Sequence, residues 1–141
     1  MTETRLRTVT SSAAYGLCAL FFAILAMQNL QFGFYGLFYL SAGLGATGLG
    51  ACLYTLAVRN YQLRARGHAP LVVALELPVL ATLWVDGPST AALWSFPVFA
   101  LAFLVLPLRT ALKVTLPVAL LLMLLLALAL PLADSLAAIM A

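Results

Sequence analysis

The stretch LELPVLATLWVDGPSTAALWSFPVFALAFLVLP, residues 75–107, holds two apolar runs interrupted by Asp86-Gly87-Pro88-Ser89-Thr90. Gly-Pro breaks a helix, and Asp, Ser and Thr suit a turn or a helix N-cap. The pattern therefore reads as helix, tight turn, helix. What decides the fold is the lack of polarity on either side of the turn. Hydrophobic residues make up 65% of the 141 positions and charged residues 8%, where soluble domains run at about a quarter charged. A chain this short cannot hide so much apolar surface in one aqueous core. Its solvent is lipid.

A membrane-crossing helix takes about 20 apolar residues. Working outward from the turn, five stretches qualify, at about 9–29, 34–58, 69–85, 91–107 and 114–133. The breaks between them are QNLQFG, RNYQLRARGHAP, DGPST and LRTALK. Open strands cannot satisfy their backbone in hydrocarbon, so the expected fold is an all-α polytopic transmembrane bundle in one domain, residues 1–141. MTETRLRTVT followed by an apolar run resembles a signal peptide. No A-x-A-like site follows, and Leu17 rather than a small residue precedes Cys18, so an uncleaved first span is expected. The tail DSLAAIMA has Asp134 or Ser135 in position to cap a further helix. It reads either as a short outer tail or as a chain stopping before a sixth span.

All seven Lys and Arg residues, Arg5, Arg7, Arg59, Arg64, Arg66, Arg109 and Lys113, fall on one side of a five-crossing chain. Positive loops stay in the cytoplasm. A bacterial inner membrane with the N-terminus inside is expected, with Asp86 and Asp134 outside. Trp84 and Trp94 are expected near the lipid headgroups, as is the aromatic run FGFYGLFY at 32–39.

Glu76 is the one ionisable residue clearly inside a span, which makes it a functional candidate. It is expected to be neutral or to face other helices or water, and Pro78 nearby frees a backbone carbonyl. With Trp84, Asp86 and Trp94 it forms the candidate ligand-binding group, open to a small ligand from the outer side. The alternative is a packed glutamic acid bonded to a neighbouring helix. In SAGLGATGLGA, small residues recur at spacing four, as Ser41/Gly45, Ala42/Ala46/Gly50 and Gly43/Thr47/Ala51. They let helix backbones approach, within the bundle or between copies. Pro97 and Pro117 are expected to kink their spans. His68, in the basic 59–70 segment, reads as a solvated loop residue, and the arginines beside it could touch anionic lipid or a cytoplasmic partner. One histidine leaves no axial pair for a haem and too few ligands for zinc. Cys18 and Cys52 read as small buried hydrophobes. No cofactor, metal, nucleic acid or catalytic constellation is expected. The expected partners are the lipid bilayer and either a second copy or another membrane protein.

From Leu75 to about Leu120 the text resembles the multi-span N-terminal membrane domain of bacterial GGDEF diguanylate cyclases. Gly87 in the outer turn, Trp94 after it, Phe96-Pro97, and the connection Leu106-Pro107-Leu108-Arg109 carry the likeness. The likeness covers about a third of the chain. The family's Gly-Gly pair is replaced by Asp86-Gly87-Pro88, and no GGDEF domain is present in these residues. The resemblance implies a non-catalytic sensory or regulatory module whose last helix signals to a cytoplasmic enzyme, and an even number of crossings. Two other functions fit the residues alone: a non-catalytic subunit or scaffold of a larger complex, and a small transporter or proton pathway using Glu76.

Overall fold

The computed structural model describes residues 3–140, with side chains throughout except at 132–136. They form five helices: α1 (Glu3–Gln31), α2 (Tyr35–Ala57), α3 (Tyr61–Val85), α4 (Pro88–Val105) and α5 (Leu108–Met140). Each is long and apolar enough to cross a membrane. The chain is an all-α, multi-pass membrane bundle. Its helices are joined by residues 32–34, 58–60, 86–87 and 106–107, connections too short for anything but antiparallel neighbours.

α1 packs most extensively on α2, and each later helix packs on the one before it. α4 also returns to α1, so α1–α4 close a ring with α5 outside it. Only 11% of the α5 span is buried, against 44% for α1, so α5 turns most of its surface to lipid. The ring core includes Tyr15, Phe22, Leu44, Val72, Leu75, Trp94 and Val98. Lipid tails are as apolar as leucine, so close packing, not apolarity, holds such helices together. At the α1–α2 contact that closeness comes from glycine. A Cβ on Gly48 would stand 3.2 Å from the Ala19 backbone, and one on Gly45 would stand 3.4 Å from the Ala19 carbonyl oxygen.

Three expected boundaries change. The segment RNYQLRARGHAP is not a loop: α3 begins at Tyr61 and carries Arg64, Arg66 and His68 on its first turns. The Asn60 side chain caps it, accepting from the Gln62 and Leu63 amides at 3.0 and 3.3 Å. An apolarity criterion misses these turns, because helix formers beside a cap need not be apolar. LRTALK likewise forms the start of α5, where the Pro107 carbonyl accepts from the amides of Thr110 and Ala111. No break occurs at Asp134 or Ser135, since α5 runs unbroken to Met140. The Asp134 side chain lies outside the described residues.

The 86–87 turn also differs in detail. Gly87, at φ 95°, is the N-cap of α4 and Pro88 occupies its first position, an arrangement only glycine adopts freely. Asp86 instead closes α3, its amide donating to the Thr82 carbonyl.

Gly48→Leu should force α1 and α2 apart and cost about 1–3 kcal/mol. Gly50→Leu, on an exposed position with open space around it, should stay within about 0.5 kcal/mol of the parent. Thermal unfolding in detergent distinguishes them, and equal losses would mean that α1 and α2 do not meet at Gly48.

Candidate functional site

The inward stripe of α3 is Arg64, His68, Val72, Leu75, Glu76, Val79 and Thr82. The spacing of three and four is that of one helix face. Three ionisable residues therefore share the face that a membrane helix normally keeps apolar.

Arg64 retains only 8% of its surface exposed. Its Nη1 donates to the Thr8 hydroxyl of α1 and, at 3.4 Å, to the Thr55 carbonyl of α2. That carbonyl is among the last four of α2, which have no partner within the helix, and a cation there suits the helix dipole. One side chain thus joins α1, α2 and α3. The Thr8 hydroxyl itself donates to the Thr4 carbonyl at 2.8 Å. A turn further along, the Tyr15 hydroxyl lies 3.0 Å from His68 Nδ1, with the rings stacked at 5.7 Å. The expectation of a solvated His68 is therefore corrected. His68 is buried because α3 starts early enough to carry it into the bundle. At the rim, Arg7 donates to the Tyr61 hydroxyl at 3.1 Å and pairs with Glu3 at 2.7 Å.

Glu76 lies ~18 Å along α3 from Arg64. It is buried, and its Oε1 has no hydrogen-bond partner among the described residues. Pro78 removes the amide that would otherwise pair with the Ala74 carbonyl. A buried carboxyl with an unpaired oxygen can receive a proton, a cation or a hydrogen-bond donor.

The four residues expected to form a ligand group sit in different surroundings. Trp84 is 85% exposed on the flank of α3, as suits an interfacial indole. Asp86 is exposed and accepts from the Thr90 hydroxyl. Trp94 is buried and meets Phe22 edge-on at 5.8 Å. Its ring faces the bundle and not the lipid: position 94 falls on the inward stripe of α4 with Ala91, Ser95, Val98 and Leu101. No hydrogen bond or ring contact joins any two of Glu76, Trp84, Asp86 and Trp94 among the described residues. Trp84 instead borders an apolar groove between the 86–87 turn and Leu125 and Leu128 of α5.

The small residues of α2 divide by face. Ser41, Gly45 and Ala51 point into the bundle, Ala42 is half-buried, and Ala46 and Gly50 point outward. Gly48, off the spacing-four rows, makes the closest approach. The seven basic residues do fall at one end. Arg5 and Arg7 are on the first turns of α1, Arg59 in the 58–60 connection, Arg64 and Arg66 on the first turns of α3, and Arg109 and Lys113 on those of α5. A cleft of about 450 Å³ opens at this basic end between α1, α3 and the end of α4. Sequence reading missed the partners Thr8, Tyr15 and Thr55. Their signal was a hydroxyl on each inward stripe, legible only once the helical phase is known. Comparison with family models, curated proteins and solved structures gives no match to this chain.

Replacing a buried, unpartnered polar group by an apolar one of similar shape is nearly neutral or stabilising. Glu76→Leu should therefore hold or raise stability in detergent, while Thr8→Val, which takes an acceptor from buried Arg64, should cost about 1–3 kcal/mol. A loss from Glu76→Leu as large as that from Thr8→Val would mean that the carboxyl has a structural partner.

Proposed function

We propose that this chain is a membrane-embedded regulatory module, non-catalytic in itself, of the kind that feeds cyclic-di-GMP signalling. Its basic end would lie on the cytoplasmic side of a bacterial inner membrane. One observation carries the reading: Glu76 is buried without a partner for Oε1 and stands on the same face of α3 as His68 and Arg64. A group kept inside a span at a cost to stability has a use. α3 is one continuous helix between Glu76 and the basic end. A proton or ligand that changes how Glu76 packs would bias how α3 sits against α1 and α2, through Arg64–Thr8 and His68–Tyr15. A signal of this kind requires two packings with different affinity for the stimulus.

Asp86 and Trp84, on the opposite end, are placed to meet an arriving ligand rather than to line its pocket. The likeness to GGDEF-associated domains in the 75–120 stretch supports the signalling class. With five crossings, Met140 and the basic end lie on opposite faces, so an output domain on the basic side requires one more crossing. A second reading, a non-catalytic subunit of a larger complex, is favoured by α5, whose flank is open to a lateral partner.

The test is a single cysteine at Ala65, exposed beside the cleft, in a Cys18→Ala, Cys52→Ala background. Its reaction with an impermeant maleimide is followed in inside-out vesicles. Changing the opposite-side pH from mildly alkaline to mildly acidic should alter the rate by about fivefold or more, and Glu76→Gln should hold it at one value. Rates that ignore both pH and the substitution would remove Glu76 from any signal. Labelling only from the outside of intact cells would reverse the orientation.

A further inference from the structure

The cleft at the basic end has two unlike walls. One presents Arg7, Thr8, Ser11, Tyr61, Arg64 and His68, from α1 and α3. The other is apolar, formed by residues 104–107, where α4 ends and the chain turns into α5. Leu104 on that wall and Leu6 beside the basic one are 60% and 55% exposed. The walls meet at the end of the bundle that carries the basic residues.

Arg64 gives the cleft its purpose. It is more than nine-tenths buried, and no carboxylate pairs with it among the described residues, where the only ion pair is Arg7–Glu3. A guanidinium carries five N–H donors. Both hydrogen bonds of Arg64 leave from Nη1. A buried cation without a counter-charge is strained electrostatically, and a planar fork with donors to spare matches a phosphate or carboxylate. Arg7 stands at the rim of the same cleft. Its exposed pair with Glu3 is weakly held and can be exchanged for another anion. Hydroxyls of Ser11 and Tyr61 add donors of a neutral kind.

We infer that this cleft is a binding site for a phosphate-ester anion, seated between Arg64 and Arg7 with its apolar part along Leu104 and Leu106. The shape of the apolar wall fits an anionic phospholipid entering from the surrounding leaflet. A water-soluble phosphate ester presents the same headgroup chemistry. The inference does not rest on Glu76 or on the signalling role proposed above, although Arg64 belongs to both.

The test uses the full chain in detergent, with native mass spectrometry of bound phosphatidylglycerol against phosphatidylcholine of the same acyl chains. Phosphatidylglycerol should be retained more tightly, and Arg7→Gln and Arg64→Gln should each weaken it by about tenfold. Arg109→Gln removes the same charge from an exposed residue outside the cleft and should change little. If Arg64→Gln does not fold, Arg7→Gln and Tyr61→Phe at the exposed rim still decide the matter. Glycerol phosphate as competitor distinguishes the sources. Displacement at an affinity equal to the lipid's assigns the site to soluble esters, and resistance assigns it to lipid; either upholds the anion site. Equal retention of the two lipids with no binding of glycerol phosphate, or an equal loss in Arg109→Gln, would overturn it.

Discussion

A guanidinium that no carboxylate pairs among the described residues stands at the junction of three helices, and the rotation of α3 follows from where it must point. Arg64 can be buried only if its donors reach oxygen, and the oxygens within reach are the Thr8 hydroxyl and the Thr55 carbonyl at the unpaired end of α2. Meeting both fixes the rotation of α3 about its own axis. Once residue 64 faces inward, helical periodicity turns 68, 72, 75, 76 and 79 inward too. His68 is then brought to Tyr15, and Glu76 is carried into the bundle. Apolar contacts could not impose this, because in lipid an apolar residue gains little by facing a helix rather than a tail. The polar residues hold the register, and the glycine contacts at Gly45 and Gly48 set the spacing.

The number of crossings and the clustering of charge were legible in the sequence, because both follow from the solvent. Hydrocarbon excludes charge and unpaired backbone, so spans and loops separate by composition. The limits of α3 and α5 were not legible, because composition reports lipid exposure while helicity depends on caps. Asn60 starts α3 well before its apolar run, and LRTALK continues a helix whose first turns are polar. Rotation was the other gap. Ala42/Ala46/Gly50 and Ser41/Gly45 look alike as text, and only the partner helix decides which row is covered. Trp94 and Trp84 illustrate it from either side of one turn. Both are indoles within a few residues of the 86–87 break, yet one packs on Phe22 and the other faces outward.

Two ionisable residues of α3, Arg64 and Glu76, separate stability from use. Arg64 is joined to two other helices by hydrogen bonds and terminates a helix that would otherwise end in bare carbonyls. It has a structural reason to be where it is, and it also lines a cleft. Glu76 has no such reason. No described residue pairs its Oε1, and the proline two residues on removes an amide instead of supplying one. A span gains nothing in stability from such a residue, whereas a span that must respond to a proton or a ligand needs a group whose environment is unfinished.

α5 obeys different rules from the ring it leans on. Its 33 residues extend ~50 Å, and a bilayer's hydrocarbon is about 30 Å thick. Leu125 and Leu128 are already level with the 86–87 turn, where the other helices reverse, so the helix continues ~16 Å past that end. Ile139 and Met140 there are almost wholly exposed. Tilt absorbs part of such an excess, but α5 has few contacts to fix a tilt, being held chiefly by α4 through buried Ala111, Thr115 and Leu122 near its first half. A helix anchored at one end and free along the other can pivot at small cost. The bundle thus divides into a ring whose polar residues set its register and a fifth helix that leans on it along its first half.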